Sequence, residues 1–244
     1  MSHRKYCCEF IKFAFMKQLV VISLFMASCV NVFSQPVCDV SPGEFDIRLE
    51  AMGFVDVREI DPVIVVDLMY ARDDNFVGHA MYDGLTKAWL HPEAAHALKL
   101  AQEELTRRHK GYSLKVCDAS RPMSVQKQMY QAVRGTSKVR YVSNPANGGG
   151  LHNYGMAVDV TIVDEHGVEL DMGTKVDHLG KEAGIDNESE MLSEGIISVN
   201  AVENRRLLRQ VMRHGGFRVL PSEWWHFNLV SRAKAKTSYK LLDF

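Results

Sequence analysis

The chain has 244 residues, of which 46% are hydrophobic and 24% are charged, and its formal net charge is -1. This composition is typical of a soluble globular protein with a substantial core, and the length gives no strong reason to expect two domains. The small net charge argues against a nucleic-acid-binding or membrane-surface protein, because both classes usually carry a basic excess.

The N-terminal segment has the pattern of an export signal. After Met16, one lysine precedes the apolar run LVVISLFMA, and small and polar residues follow. The run is too short to cross a bilayer, so we interpret residues 1–34 as a signal peptide whose synthesis starts at Met16. We therefore expect an exported protein of the periplasm or outer envelope, with a polar lead-in at 35–44 and one domain at 45–244.

The mode of export and the state of the cysteines stay open. Cleavage before Gln35 would release a soluble protein, whereas MASC resembles a lipoprotein box in which Cys29 would carry a lipid anchor. Two of the five cysteines, Cys38 and Cys117, lie beyond this segment. They could form a disulfide in an exported protein, or Cys117 could be a buried small hydrophobic residue within its apolar run.

Apolar spacing and capping residues predict a mixture of helices and short strands. In chain order we expect an extended edge in PVIVVDLMY, a helix at 91–109, a strand at 114–117 and a helix at 123–133. A loop at 143–150 and a strand at 156–163 follow. The last predicted elements are a helix capped by Asn200, with Glu203 as its capping-box partner, and a hairpin at 217–230. These elements indicate a single α+β domain with a central, mostly antiparallel sheet flanked by helices.

Two short segments carry residues suited to a metal site. GLHNYGMAVD contains His152 and Asp159, with Gly155 permitting a turn between them, and EWWHFN contains Glu223 and His226. On a regular strand the last two would face opposite sides, so we expect Glu223 in the turn and His226 on the strand. Two histidines and one carboxylate form a known catalytic zinc set with a fourth position left for water. Glu223 is then the expected base for that water.

Five segments in a fixed order resemble a known family. They are FVDVREIDPVIVVDLMYARDDNFVG, CDASRP, GLHNYGMAVD, MGTKVD and EWWHFN, and they run from Phe54 to Asn228. Together they are similar to the zinc D-alanyl-D-alanine dipeptidases, a family known for members that serve vancomycin resistance. The resemblance implies a hedgehog/DD-peptidase-like fold and one zinc ion per chain, held by His152, Asp159 and His226.

The resemblance also implies roles for three further residues. Glu223 matches the catalytic base, Arg121 matches the arginine that stabilises the tetrahedral oxyanion, and Asp177 matches the acidic residue that receives the substrate's ammonium group. The implied reaction is hydrolysis of D-alanyl-D-alanine, or of a similar dipeptide, to free amino acids in cell-wall peptide turnover. The implied partner is this small dipeptide, with no nucleic acid and no membrane span, and the oligomeric state is left open.

Two positions depart from the family pattern. Gly150 stands where a serine is usual, two residues before the first histidine ligand, so we expect a hydroxyl to be missing from the pocket. Val176 stands where an aromatic residue is common, so we expect a roomier pocket wall. The departures leave the dipeptide preference open. Gly150 and the export signal favour salvage of wall-derived dipeptides over a resistance role.

Three other functions are compatible with parts of this sequence. A zinc D,D- or L,D-carboxypeptidase would trim peptidoglycan stem peptides, but Asp177 favours a dipeptide with a free amino end. A non-catalytic, zinc-bearing wall-binding module would need neither Glu223 nor Arg121. A serine peptidase of the penicillin-binding type would use the Ser-x-x-Lys motif that starts at Ser124 and ends at Lys127. That motif is short, and the accompanying Lys-Thr-Gly motif lacks its glycine.

Overall fold

The structure is a computed structural model that describes residues 43–82 and 84–244. The helices are α1 (Glu44–Ala51), α2 (Val57–Ile60), α3 (Pro92–Arg108), α4 (Met123–Val133), α5 (Glu188–Ser193), α6 (Val199–His214) and α7 (Arg232–Ser238). The strands are β1 (Val55–Asp56), β2 (Val65–Val66), β3 (Trp89–Leu90), β4 (Ser113–Asp118), β5 (Ala157–Val163), β6 (Arg218–Leu220) and β7 (Glu223–Asn228).

A five-stranded sheet forms the centre of the fold, with the strand order β2-β4-β5-β7-β6. The edge strand β2 is parallel to β4, and the other neighbours are antiparallel. β1 and β3 form a separate antiparallel pair. The predicted α+β class with a mostly antiparallel central sheet is confirmed.

Helix α3 shows how the local sequence sets an element and its packing. His91 caps the helix, since its Nδ1 accepts a hydrogen bond from the Glu93 amide at 3.3 Å, and Pro92 occupies the first turn. The predicted apolar stripe is buried against β4 and α6. Its members are Ala94, Ala97, Leu98, Ala101 and Leu105. Gln102 joins the helix to the sheet, because its Oε1 accepts from the Leu114 amide at 2.7 Å.

One local prediction differs from the structure, and another holds for only part of its segment. The cap of α6 is Ser198, whose Oγ accepts a hydrogen bond from the Ala201 amide at 2.9 Å, and Asn200 lies inside the helix. In the PVIVVDLMY segment, two residues, Val65 and Val66, form the parallel edge strand, and a short 3-10 turn follows at Met69–Ala71.

Several N-terminal predictions lie outside the described residues. The export signal at 1–34, the lipid anchor at Cys29 and the pairing partner Cys38 all stay predictions. Cys117 is buried on β4 with 5% of its surface exposed. Among the residues with described placement, no helix is both long and apolar enough to span a membrane.

Candidate active site

Three neighbouring strands place titratable side chains in one row. Asp118 of β4 lies opposite Asp159 of β5, and Asp159 lies opposite His226 of β7. Residues directly opposite each other on antiparallel strands point to the same face, with Cβ atoms about 5 Å apart. The strand registers therefore bring two predicted ligands, Asp159 and His226, side by side and set Asp118 next to them.

His152 reaches this row from a 3-10 turn, Leu151–Tyr154, that precedes β5. Three hydrogen bonds join the turn to the loop after β4. The His152 ring Nδ1 contacts the Ala119 carbonyl at 2.6 Å, and the Arg121 amide donates to the His152 carbonyl at 3.0 Å. The Asn153 side-chain amide donates to the Arg121 carbonyl at 2.7 Å. These bonds hold His152 and Arg121 in a constant relative position.

Gly155 makes the approach of this turn to β5 sterically feasible. Its φ of +66° lies in the left-handed region, and a Cβ there would come within 2.3 Å of Phe54 and 2.9 Å of the Ser120 hydroxyl. Any side chain at 155 would therefore displace the turn that carries His152. This agrees with the predicted role of Gly155.

The three predicted ligands bring one atom each to a common point. His152 Nε2 lies 3.1 Å from His226 Nδ1 and 3.3 Å from Asp159 Oδ1, and His226 Nδ1 lies 2.9 Å from Asp159 Oδ1. Ligands bound at 2.0–2.1 Å to a tetrahedral zinc ion lie about 3.3 Å from one another. The triangle therefore has the size of three coordination positions on one ion.

In each of the two histidine rings, one nitrogen contacts a group outside the triangle and the other, inner nitrogen faces the triangle. The outside contact leaves the inner nitrogen free to donate its electron pair. A carbonyl oxygen can only accept, so His152 Nδ1 carries the proton toward Ala119 and leaves Nε2 with its lone pair. His226 Nε2 contacts Asn228 Oδ1 at 3.0 Å, which leaves Nδ1 as the inner atom. With both rings neutral, two lone pairs and the Asp159 carboxylate converge within hydrogen-bond distance. Such a set fits a bound cation.

Glu223 lies beside this triangle on the first position of β7, where it pairs with Leu220 of β6. The prediction that it lies in the turn is wrong. The register shifts between Val219 and Leu220, and an irregularity of this kind can re-aim side chains, so that Glu223 and His226 line the same cavity although they are three residues apart. Burial raises the pKa of Glu223 to about 7, partly offset by His226.

Arg121 is 9% exposed, and most of its donors already have partners. Nε and Nη2 donate to Asp118 Oδ2, and Nη1 donates to Gln126 Oε1 at 3.0 Å. The guanidinium also lies over the Tyr70 ring at 5.2 Å. Since a guanidinium has five N–H groups, one on Nη1 and one on Nη2 remain for another acceptor. Asp118 in turn accepts a hydrogen bond from the Tyr82 hydroxyl.

Asp177 lies on an irregular segment between β5 and α5. Buried Arg205 holds the segment by donating to the Met172 carbonyl at 2.7 Å, and Trp224 Nε1 donates to Thr174 Oγ1 at 2.8 Å. Asp177 has a φ of +67°, the one non-glycine residue with positive φ in the described chain. Such strained positions concentrate at functional sites.

The Asp177 carboxylate is buried, and among the described residues only one of its two oxygens has a hydrogen-bond partner. Oδ1 accepts from the Tyr70 hydroxyl at 2.9 Å, whereas Oδ2 has no hydrogen-bond partner among the described residues. Burial raises the pKa of Asp177 to about 7, and the Tyr70 hydrogen bond opposes that shift. A buried carboxylate oxygen without a donor is suited to a cationic ligand.

One cavity of about 410 Å³ brings all the predicted site residues together. Its lining includes Arg121, His152, Asp159, Asp177, Glu223 and His226. Val176, expected to shape the pocket wall, is instead half-buried against the core and does not line the cavity. The surface imidazole of His178 pairs with Glu182 at 3.0 Å, away from the triangle.

The residues of the serine-peptidase alternative do not meet as a catalytic pair. Ser124 Oγ is buried without a hydrogen-bond partner in the described chain. Lys127 is exposed and lies 4.0 Å from Asp243. Neither residue lines the cavity that holds the metal triangle.

Sequence reasoning missed the residues that orient the predicted ones. Asp118 and Gln126 hold Arg121, Tyr70 holds Asp177, and Asn228 holds the His226 ring. One of them carried a usable signal: Asn228 follows His226 by two on a strand and therefore shares its face. The contact between Tyr70 and Asp177 joins residues that are 107 positions apart, and no sequence pattern indicates it.

Comparisons with known proteins agree with this geometry. The family described as D-ala-D-ala dipeptidase matches residues 50–242. A D-alanyl-D-alanine dipeptidase of Escherichia coli is 35% identical over 188 residues, which cover 77% of this chain and 88% of that protein. Proteins of the same name from Enterococcus faecalis and Enterococcus faecium are 27% and 28% identical, over 96% and 92% of their lengths. The chain therefore belongs to the D-ala-D-ala dipeptidase family of peptidases, as the five ordered segments predicted.

Proposed function

We propose that this protein uses one zinc ion to hydrolyse D-alanyl-D-alanine, or a closely similar dipeptide, to free amino acids. The observation that carries the proposal is the unpartnered Asp177 oxygen, which lies in the same cavity as the metal triangle and Glu223. A dipeptide supplies both an ammonium group for that oxygen and a peptide carbonyl for the metal side. The names of the relatives support the choice of dipeptide.

His152, Asp159 and His226 are the residues that would hold the metal. Two imidazoles and one carboxylate suit zinc, and their 2.9–3.3 Å separations suit tetrahedral coordination. The bound ion would supply a water molecule acidic enough to lose a proton near neutral pH. The His152 and His226 rings are held by Ala119 and Asn228, which would keep the ligand atoms oriented.

Glu223 would move the proton. Its carboxylate takes a proton from the attacking water while the water oxygen forms a bond to the peptide carbonyl carbon. When the carbon–nitrogen bond breaks, Glu223 passes that proton to the leaving nitrogen. The pKa of about 7 that burial produces suits a group that first accepts a proton and then donates it.

Arg121 would stabilise the negative charge that develops on the carbonyl oxygen. Its two remaining N–H groups are free to donate, and Asp118 and Gln126 keep the fork from rotating. Donors that are oriented before the reaction stabilise a developing oxyanion without reorganising.

Asp177 would bind the substrate's ammonium group through Oδ2. This contact distinguishes a dipeptide from the end of a longer peptide, whose corresponding nitrogen is an uncharged amide. It therefore favours a dipeptidase over a carboxypeptidase on stem peptides, and it has no purpose in a wall-binding module. The predicted export signal supports a role in salvage of wall-derived dipeptides outside the inner membrane.

Released D-alanine tests the proposal. The purified protein is incubated with D-Ala-D-Ala and with a stem pentapeptide, before and after metal removal by a chelator. We expect at least about 10³-fold preference for the dipeptide, because the pentapeptide leaves Asp177 unpaired. Chelation should abolish release, and added zinc should restore it. Release that survives complete metal removal would exclude the zinc mechanism, and equal cleavage of both substrates would exclude the dipeptidase.

Replacement of Arg121 by lysine tests the oxyanion role. We expect Arg121→Lys to lower kcat about 10²-fold with a small change in KM, because the positive charge stays but the fork geometry is lost. Steady-state kinetics on D-Ala-D-Ala measure both values. A change confined to KM would contradict the role. Arg121→Ala is less informative, since it leaves the fully buried Asp118 without its cation, a change that typically costs about 3–5 kcal/mol of stability.

A further inference from the structure

The cavity wall beside the metal triangle contains a serine and a glycine in close contact. Ser143 and Gly150 both line the cavity. Gly150 has a φ of -102°, which any residue can adopt, so its backbone does not require glycine. A Cβ at 150 would lie 2.9 Å from Ser143 Oγ and 3.3 Å from Ser143 Cβ. The Ser143 side chain therefore occupies the space that a side chain at 150 would need.

The expected loss of a pocket hydroxyl at Gly150 is thus compensated in the structure. Ser143 brings its own Oγ next to the place where a residue-150 side chain would stand. That oxygen has no hydrogen-bond partner among the described residues, and Ser143 is one of the residues that line the cavity. A hydroxyl can donate one hydrogen bond and accept two, so it is available to a ligand.

Ser143 is held in a fixed position relative to Arg121. The Gln126 side chain is 1% exposed and bridges the two residues. Its Nε2 donates to the Ser143 carbonyl at 2.7 Å, and its Oε1 accepts from Arg121 Nη1 at 3.0 Å. One buried amide therefore couples the wall that carries Ser143 to the guanidinium.

Arg121 is linked to Asp177 and to Ser143 through different neighbours. The guanidinium lies over the Tyr70 ring, whose hydroxyl binds Asp177, and it reaches Ser143 by a different route, through Gln126. A dipeptide whose ammonium group is at Asp177 and whose reacting carbonyl is at Arg121 has one further charged group, its terminal carboxylate. Ser143 lines the same cavity, and its hydroxyl can donate a hydrogen bond to that carboxylate.

We propose that the Ser143 hydroxyl donates a hydrogen bond to the terminal carboxylate of the dipeptide, and that Gly150 is small so that Ser143 can occupy this position. The inference rests on the proposed function. A hydrogen bond to a charged acceptor is stronger than one to a neutral acceptor. Ser143 therefore helps to select a substrate that ends in a free carboxylate.

Kinetics of Ser143→Ala on two substrates test this proposal. The substrates are D-Ala-D-Ala and its C-terminal amide, which keeps the ammonium group and the scissile bond but lacks the carboxylate charge. We expect KM for the dipeptide to rise about tenfold with kcat nearly unchanged, and KM for the amide to rise less than about threefold. Ser193→Ala, at an exposed helix end, is the matched control and should change neither.

A second pair of variants tests whether a side chain at 150 and the Ser143 side chain compete for the same space. Gly150→Ser alone should lower kcat/KM for the dipeptide, because its Cβ meets Ser143. Gly150→Ser combined with Ser143→Ala should recover to within about threefold of wild type, because the new serine can use the vacated space. Bound metal and the thermal unfolding midpoint are measured for every variant to show that each one folds.

The outcomes separate this inference from the proposed function. Suppose that wild type cleaves D-Ala-D-Ala but that Ser143→Ala leaves KM unchanged, or raises KM equally for both substrates. The inference is then overturned, and the dipeptidase assignment stands. A double variant no more active than Ser143→Ala would also contradict it. If metal-loaded wild type releases no D-alanine from the dipeptide, the proposed function fails, and this inference fails with it.

Discussion

Glu223→Gln is expected to lower kcat on D-Ala-D-Ala about 10³-fold and to leave one metal ion bound per chain. Glutamine has nearly the same size and shape, but it cannot accept the water's proton. The metal triangle is formed by His152, Asp159 and His226, so the substitution leaves all three ligand atoms in place. Steady-state kinetics and metal analysis of the purified variant measure the two effects.

The matched control for Glu223 is Glu190→Gln, which removes an exposed carboxylate from α5 and should change neither value. An active Glu223→Gln variant would show that another group takes the proton. Loss of the metal together with activity would show that Glu223 is a ligand.

The pH dependence of wild type gives an independent test of the same base. Burial raises the pKa of Glu223 to about 7, and the base works in its ionised form. The bound cation favours the carboxylate, so activity of the metal-loaded enzyme should fall as the pH is lowered through a value below about 7. Glu223→Gln should lose this acidic limb from its residual activity. A limb of the same position in both proteins would belong to another group.

Asp177→Asn is expected to lower kcat/KM for D-Ala-D-Ala by at least about 10²-fold while stabilising the folded protein at pH 8. Activity falls because the amide cannot neutralise the substrate's ammonium group. Stability rises because the native protein keeps a buried carboxylate ionised above its raised pKa of about 7. Asparagine also tolerates the left-handed backbone found at this position.

The sign and range of the stability effect follow from the two states of Asp177. An aspartate in the unfolded chain ionises near pH 3.9, so burial destabilises the wild-type fold progressively from about pH 4 to about pH 7. Below that range both states are protonated and the penalty is absent. We expect Asp177→Asn to raise the free energy of unfolding at pH 8 by on the order of 2 kcal/mol. This increase is smaller than the full pKa shift of Asp177 implies, because the substitution alters the Tyr70 hydrogen bond.

Denaturant unfolding of wild type and Asp177→Asn at pH 4 and pH 8 measures this difference. The gain should be present at pH 8 and nearly absent at pH 4. An equal gain at both values would point to relief of backbone strain instead of ionisation. Full activity of the variant would exclude Asp177 as the ammonium partner and would reopen the carboxypeptidase assignment.

Local patterns were sufficient for elements whose stability is set within a few turns. The helix predicted at 123–133 is found at Met123–Val133, and the helix predicted at 91–109 is found at Pro92–Arg108. Helical spacing of apolar residues and turn-ending glycines are properties of neighbouring residues, so the sequence displays them directly.

Local patterns failed where a distant contact chose between similar options. Both Ser198 and Asn200 are good capping residues. Ser198 becomes the cap of α6, and its hydroxyl also donates to Asp171 Oδ2 at 2.7 Å, a contact across 27 residues. Glu223 lies on the strand and not in the predicted turn for a related reason, because the register shift between β6 and β7 depends on how the two strands pair.

The family and the order of its motifs can be read from the sequence, and the same motifs predict the metal ligands and the base. The orientation of those groups, in contrast, depends on contacts that form only in the folded protein. The tertiary structure orients Arg121 through Asp118 and Gln126, leaves one oxygen of Asp177 without a partner among the described residues, and places Ser143 against Gly150. The reason is physical, because these contacts join segments that only strand register and long-range packing bring together, and no local spacing encodes them.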